Sequence, residues 1–292
     1  LLAAEDGIPD MPPLDRIAFE KAGIAKSGSP LLTQKYSASM ANTVATQAIL
    51  HNAPLHARGQ SWDATVYDGR LHYRDATGKL NLPLPRMIGA HQADNAALAI
   101  AMLRHQNTIH IPEAAMSAAM EWTRWPARMQ TLSAGPLTDQ LPTGSTVWLD
   151  GGHNPSAGRV LAQAFSELNE RHSRPLVMVW GMLNTKDVGS FIGCFAGIAS
   201  RVITITIPDE ENAVPAEKLA EAARAHGLQA ETAPGIDAAL RQASSTVPAP
   251  RILICGSLYL AGRVLAAHGN EEMTKVSGAG RSAASGGYQQ RP

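Results

Sequence analysis

Residues 146–155 read T-V-W-L-D-G-G-H-N-P, and the fold of much of the chain can be worked out from this stretch. Its first apolar residues predict a buried strand, and the turn that follows carries Asp150, two glycines and His153. Asn154 suits a helix N-cap, and Pro155 suits the first position of a helix. The stretch therefore predicts a strand, a turn and a helix whose free N–H groups favour an anion. The alternative is a purely structural turn in which Asp and Asn act as caps.

The same alternation of strand and helix continues after this stretch. Apolar runs at 176–180, 202–207 and 251–255 each stop at a glycine or a proline, and helical patterns follow at 215–226 and 258–268. This alternation predicts an α/β fold with a Rossmann-like, mostly parallel, doubly wound sheet. Ligands of such sheets bind beyond the carboxyl ends of the strands. We therefore expect the turns at 150–153, 181–187 and 256–257 to gather one set of polar side chains: Asp150, His153, Lys186, Asp187 and Ser257.

The first half of the chain has a different texture. A helix is expected to end at Gly23, and a short strand, an Ala-rich helix and a small antiparallel sheet follow at 29–33, 38–50 and 55–86. Apolar helices are predicted at 96–105 and 112–122. His91, Gln92 and Asn95 precede the first of these helices, where they could either cap it or contact a ligand.

These patterns predict five segments along the chain. They are an irregular N-terminus at 1–16, a first domain at 17–133, a linker at 134–145, a second domain at 146–269 and a disordered tail at 270–292. The linker is placed at the stretch of Gly and Pro before the first strand of the second domain.

Charge and cysteine content limit the possible partners. The 292 residues include 25 basic and 25 acidic side chains, which excludes a bulk electrostatic case for nucleic-acid binding. No apolar run approaches the ~20 residues that a membrane span needs. Cys194 and Cys255 have neither a metal-ligand spacing nor a disulfide framework, and they suit a reducing compartment. We expect a cytoplasmic protein, monomeric, with no nucleic-acid or membrane partner.

Five motifs in order resemble the folylpolyglutamate synthase/dihydrofolate synthase family of the Mur ligase superfamily. They are Glu20-Lys21-Ala22-Gly23, Gly89 with His91-Gln92 and Asn95, Trp125-Pro126-Ala127-Arg128, Asp150 to Pro155, and Gly256-Ser257-Leu258-Tyr259-Leu260. The resemblance implies the remnant of a P-loop-type ATPase domain, followed by the Rossmann-like domain. It also implies that ATP and Mg²⁺ activate the carboxylate of dihydropteroate or of tetrahydrofolate (poly)glutamates as an acyl phosphate. The amine of L-glutamate would then attack it.

The resemblance also implies roles for individual residues. Asn95, Arg128 and Asp150 would contact ATP, with Arg128 on its phosphates. His153 and Ser257 would help to seat glutamate. Lys21 matches a lysine that is carbamylated in the family and would then lie near Mg²⁺, whereas the local pattern alone indicates an ordinary cation in the last turn of a helix.

Several positions depart from the family pattern. Gly152 replaces the usual Ala, and Ala127 replaces the usual Gly, which would be strained if its φ is positive. The family's Gly-rich phosphate loop and its Glu and His ligands for Mg²⁺ have no counterpart in the sequence. We therefore expect an N-terminally truncated chain without activity of its own as one alternative. A peptidoglycan-precursor Mur ligase is another, although the Gly-Ser-Leu-Tyr-Leu stretch argues against it.

Overall fold

The computed structural model describes residues 11–245 and 248–269, which form two compact units that divide between Pro126 and Ala127. Each unit is built around its own buried apolar residues. None of the helices in the described ranges is long and apolar enough to cross a bilayer. The predicted tail at 270–292 lies outside the described residues.

The first unit combines helices with two small sheets. Its elements are α1 (Pro13–Ala22), β1 (Leu31–Thr33), α2 (Ala38–Leu50), β2 (Leu55–Ala57), β3 (Trp62–Tyr67), β4 (Arg70–Asp75), β5 (Gly78–Pro83), α3 (His91–His105) and α4 (Glu113–Trp122). Strands β3, β4 and β5 form the predicted antiparallel sheet, with the hairpin turn at Asp68 and Gly69. Both turn residues have positive φ, 49° and 67°, as a tight hairpin requires.

Two predictions for this unit are corrected. Helix α1 begins at Pro13, so the irregular N-terminus predicted for 1–16 is wrong at 13–16, while residues 1–10 lie outside the description. Proline is compatible with a first helical turn, because the N–H that it lacks would have no partner in the helix. Strand β2 is not part of the antiparallel sheet but pairs in parallel with β1, Leu31 opposite Leu55.

The second unit is a six-stranded sheet with helices on both faces. Its elements are β6 (Gln130–Thr131), β7 (Thr146–Leu149), α5 (Pro155–Arg171), β8 (Leu176–Trp180), α6 (Val188–Ile192), β9 (Ala199–Thr204), α7 (Ala216–Ala225), β10 (Ala230–Thr232), α8 (Ile236–Ser245), β11 (Arg251–Cys255) and α9 (Leu258–His268). The strand order is β10-β9-β8-β11-β7-β6, and every pair is parallel except β6 with β7. This sheet confirms the predicted Rossmann-like fold.

Two apolar cores lie on opposite faces of this sheet. Helices α8 and α9 supply residues such as Leu240 and Val264 to one core, and α5, α6 and α7 supply Phe165, Phe191 and Leu219 to the other. Strands β8 and β11 are buried at every position, as expected for central strands that are covered on both faces.

The boundary between the units differs from the predicted linker at 134–145. Leu132 and Leu137 are 7% and 2% exposed, and both belong to a core of the second unit. Strand β6 also pairs with β7 through Gln130 and Leu149. The stretch 134–145 is typical of a linker because it holds two Gly and two Pro, yet Leu137 and Leu141 pack against the core of the second unit.

Candidate functional site

Three loops meet at the carboxyl ends of β7, β8 and β11. The N–H of Gly256 donates to the carbonyl of Gly152 at 3.1 Å. Gly256 has a φ of 110°, and a Cβ added there would lie 2.4 Å from the carbonyl oxygen of Gly181. Only glycine permits so close an approach. Loops 150–153, 181–187 and 256–257 were predicted to lie together, and the contacts of Gly256 with Gly152 and Gly181 confirm this.

Asp150 is the buried acid of this edge, with 6% of its surface exposed. Its Oδ1 accepts the N–H of Gly152 at 2.7 Å, and its Oδ2 accepts the N–H of Met129 at 2.8 Å. The N–H of Gly151 donates in turn to the carbonyl of Ala127 at 2.9 Å. The loop after β7 is thus fastened to the turn that carries Arg128.

That turn adopts an uncommon backbone. Ala127 and Met129 have φ values of 54° and 44°, in the left-handed region that L residues avoid by roughly 1–2 kcal/mol. The condition under which we expect strain at Ala127 is therefore met. Gln130 stabilises the turn, since its Oε1 accepts the N–H of Ala127 at 2.9 Å. Arg128, between the two strained residues, is exposed.

From the sequence, a positive φ at Ala127 is raised only as a condition, and the role of Gln130 is not predicted. The available signal was Ala127 itself, which stands where the resembled family has glycine. A glycine at such a position commonly indicates a positive φ. No sequence pattern indicates that the side chain of Gln130 accepts the N–H of Ala127.

His153 and Asn154 open helix α5 as predicted. Asn154 is the N-cap, and its Oδ1 accepts the N–H of Ala157 at 2.9 Å. The Nδ1 of His153 lies 3.0 Å from the carbonyl of Gly151. Because a carbonyl only accepts, Nδ1 must carry a proton in this contact. The free N–H groups of α5 begin beside this imidazole.

Ser257 lies at the start of α9 and is 3% exposed. Its Oγ accepts the N–H of Tyr259 at 3.1 Å, so the hydroxyl caps the helix and keeps its own proton for another acceptor. The neighbouring Cys255 is fully buried, and burial together with the Asp150 charge raises the pKa of its thiol. A neutral thiol of this kind is a packing residue.

Lys186 and Asp187 were expected at the same edge. Asp187 caps the short helix α6, where its Oδ1 accepts the N–H of Ser190 at 3.0 Å. This hydrogen bond lowers the pKa of the Asp187 carboxyl. Asp187 thus has a structural task, and the Lys186 side chain is exposed.

The candidates of the first unit are placed as follows. Lys21 is in the last turn of α1, with its side chain 73% exposed and its Nζ 2.9 Å from Glu20 Oε1. Asn95 is exposed on α3, and its Nδ2 donates to Gln92 Oε1 at 3.2 Å. Helix α3 begins at His91, and its N-cap makes no side-chain hydrogen bond. His91, Gln92 and Asn95 therefore lie within the helix, and none of them is its N-cap residue.

The residues described do not make a magnesium site. Within 11–245 and 248–269 there is no group of three or more His, Cys, Asp or Glu side chains that could hold a metal ion. Lys21 as an ammonium group has no lone pair for a metal, and it pairs with a neighbouring carboxylate. The donors that Mg²⁺ prefers are oxygens, so this set does not fit it.

Comparisons with known proteins agree with this architecture. A family model described as the Mur ligase glutamate ligase domain matches residues 128–258. The folylpolyglutamate synthase of Lacticaseibacillus casei is 28% identical over 264 residues, which cover 85% of this chain and 56% of that protein. E. coli FolC in complex with DHPP and ADP has a TM-score of 0.74 at 26% identity, covering 96% of this chain and 60% of that one.

A further solved structure comes from Yersinia pestis. It is a bifunctional folylpolyglutamate synthase/dihydrofolate synthase complexed with AMPPNP and Mn ion, with a TM-score of 0.71 at 25% identity, covering 89% of this chain and 58% of that one. The chain thus spans between half and two thirds of the length of these three proteins. In its sequence motifs, its sheet order and these matches, the chain is similar to folylpolyglutamate synthases and dihydrofolate synthases, and its residues 128–258 match the Mur ligase glutamate ligase domain.

Proposed function

We propose that the chain serves an ATP-dependent ligase that joins L-glutamate to the carboxylate of dihydropteroate or of tetrahydrofolate (poly)glutamates. The observation that carries this proposal is the strained turn that holds Arg128 at the loop edge of a glutamate ligase domain. The relatives support the choice of substrates, since one structure is named as a complex with DHPP and ADP and another as a complex with AMPPNP.

The proposed reaction has two steps. A carboxylate oxygen of the pterin substrate attacks the γ-phosphorus of ATP, which gives an acyl phosphate and releases ADP. The glutamate amine then attacks the acyl carbon, phosphate leaves with the bonding electrons, and the new amide nitrogen loses a proton. Such phosphoryl transfer depends mainly on positioning and on neutralising charge.

Arg128 is the proposed phosphate ligand. Its guanidinium is exposed on a turn whose backbone is fixed at both neighbouring residues. An arginine fork binds phosphate oxygens with two parallel hydrogen bonds, and a fixed backbone reduces the entropy that binding costs. Asp150 is proposed to act on the nucleotide through this turn, because its two oxygens accept the N–H groups of Gly152 and Met129. Asn95 is proposed as an amide contact to the nucleotide from the first unit.

Glutamate is proposed to bind at the start of α5. The first turn of this 17-residue helix carries free N–H groups, which favour a carboxylate. The Nε2 of His153 is not used in the contact with Gly151 and is proposed to contact the glutamate. The hydroxyl of Ser257 can donate its proton to an oxygen of the glutamate. Carbamylation of Lys21 is proposed only for a protein that supplies the missing metal ligands, and no step is assigned to it.

The proposal can be tested by ADP release. The protein would be supplied with Mg-ATP, L-glutamate and either dihydropteroate, tetrahydrofolate or a UDP-muramyl acceptor. We expect ADP release that requires both glutamate and a pterin substrate. Release only with the UDP-muramyl acceptor would contradict the proposal and favour the peptidoglycan alternative. No release with any acceptor would favour the alternative of a truncated chain without activity of its own.

A pair of arginine variants tests the site. Arg128→Gln should lower turnover by tens- to a thousand-fold, which corresponds to ~2–4 kcal/mol of lost transition-state stabilisation. Arg171→Gln removes an exposed arginine at the far end of α5 and serves as the matched control. Equal turnover in the two variants would remove Arg128 from the site.

A further inference from the structure

A second cleft lies at the amino ends of β8, β9 and β11, at the edge of the sheet opposite the candidate site. It has a volume of about 440 Å³, in the usual range of small-molecule pockets. The end of α5 and the starts of the three strands line it. None of the described residues that line it is acidic, and its polar side chains are Ser166, Asn169, Ser173, Arg174, Ser200 and Arg251.

Arg251 is the buried cation of this cleft, with 6% of its surface exposed. Its Nη2 donates to the carbonyls of Leu168 and His172 at 3.4 and 3.2 Å, which caps the end of α5. Within residues 11–245 and 248–269, no protein acceptor faces its Nε and Nη1, and no carboxylate pairs with it. A buried charge without a counterion is costly, so capping explains only part of the arrangement.

Arg174 places a second guanidinium on the same cleft. Its side chain is exposed, and Nη1 donates to the carbonyl of Gly144 at 2.7 Å, so other donors remain for a ligand. Its charge acts with burial to lower the pKa of Arg251. An anion between the two guanidinium groups would relieve this repulsion. The nearby hydroxyl groups of Ser166 and Ser173 could add hydrogen bonds.

We propose that this cleft binds a small, doubly charged oxyanion, a phosphate ester or a dicarboxylate, on Arg174 and Arg251. Two guanidinium groups without acidic neighbours select anions, and their planar forks match the oxygens of phosphate and carboxylate groups. The cleft is larger than a phosphate ion, so it has room for an organic part of the ligand. This binding does not depend on the proposed ligase reaction.

The experiment measures binding to the whole chain without turnover. Inorganic phosphate and malonate would be titrated by calorimetry and by thermal unfolding, with sodium chloride at matched ionic strength to account for screening. We expect a saturable rise in Tm with at least one of the two anions and none with chloride, since a ligand of the native state stabilises it. The arm with the stronger effect identifies phosphate or carboxylate as the preferred group.

Variants locate the binding. Arg174→Gln, at an exposed position where folding should be unaffected, is expected to weaken binding at least about tenfold. Arg251→Lys keeps the charge but loses the fork, and it should also weaken binding, whereas Arg171→Gln, outside the cleft, should not. No saturable binding of either anion, or equal affinity in Arg174→Gln and the parent, would overturn the proposal.

Discussion

Replacing Asp150 by alanine should destabilise the second unit strongly. Asp150→Ala removes the acceptors of two buried N–H groups, those of Met129 and Gly152. A buried donor left without a partner costs about 1–3 kcal/mol, so the two together give about 2–6 kcal/mol. Water that enters the space of the lost side chain would accept hydrogen bonds from these N–H groups and offset part of this cost. We therefore expect a loss of about 3 kcal/mol in the free energy of unfolding.

The measurement is urea unfolding followed by tryptophan fluorescence, with hydrogen exchange of the peptides that cover 127–131 as a local readout. Asp139→Ala is the matched control, since Asp139 is exposed and its Oδ1 accepts one backbone N–H, that of Gly135, at 3.0 Å. This control should cost less than about 1 kcal/mol, because water can replace the carboxylate at the surface. Asp150→Asn keeps one side-chain oxygen and should fall between the two.

If Asp150→Ala unfolds within about 0.5 kcal/mol of the parent and the Met129 amide exchanges no faster, the carboxylate does not hold the turn. Arg128 would then be positioned by Gln130 and the backbone alone. A large loss in Asp139→Ala would instead show that any removed carboxylate destabilises this unit.

Further variants probe local features of both units. Asn154→Ala should lose about 1 kcal/mol through the missing cap, measured as faster amide exchange in the first turn of α5. Gly151→Ala places a Cβ 2.3 Å from Leu258 Cδ2, the end of an exposed side chain that can move, so it should lower Tm only slightly, and adding Leu258→Ala should remove the clash. In the first unit, burial alone would raise the pKa of the Asp75 carboxyl, but hydrogen bonds led by that from Arg104 outweigh it, so this pKa lies well below its usual value. A depressed carboxyl pKa stabilises the fold above about pH 3.9. The stability gap between the parent and Asp75→Asn, followed by urea unfolding from pH 7 downward, should therefore narrow below about pH 4, and a gap that widens there would contradict this assignment.

Features written in local sequence were predictable. The strand and capped helix around Asn154 and Pro155 follow from apolar runs and cap chemistry, and both are present in the structure. The meeting of the loops follows from the parallel order, because strands that point the same way end at the same edge. Gly256 allows that approach, since its missing side chain lets the carbonyl of Gly181 come close.

Features that depend on long-range contacts were not predictable. Leu137, inside the predicted linker, packs in a core that extends to residues as distant as Val264, and the local Gly and Pro do not reveal that contact. The parallel pairing of β1 with β2 likewise depends on a crossover through α2. Gln130 stabilises the turn through a side chain to backbone contact that no periodicity encodes. Roles taken from the family resemblance, such as that of Asn95, stay predictions.

The position of β11 in the middle of the sheet has a consequence for how the second unit is made. Strands β7 and β8 do not pair with each other; each pairs with β11, which is the last of the described strands in chain order. During synthesis, the segment from 127 to 245 leaves the ribosome before β11 has been made. Strand β11 is the one that lies between β7 and β8 in the sheet. Until then β7 and β8 present open edges, which can pair with other chains. The sheet can therefore close only late in synthesis, through contacts between residues far apart in sequence, and such contacts form slowly.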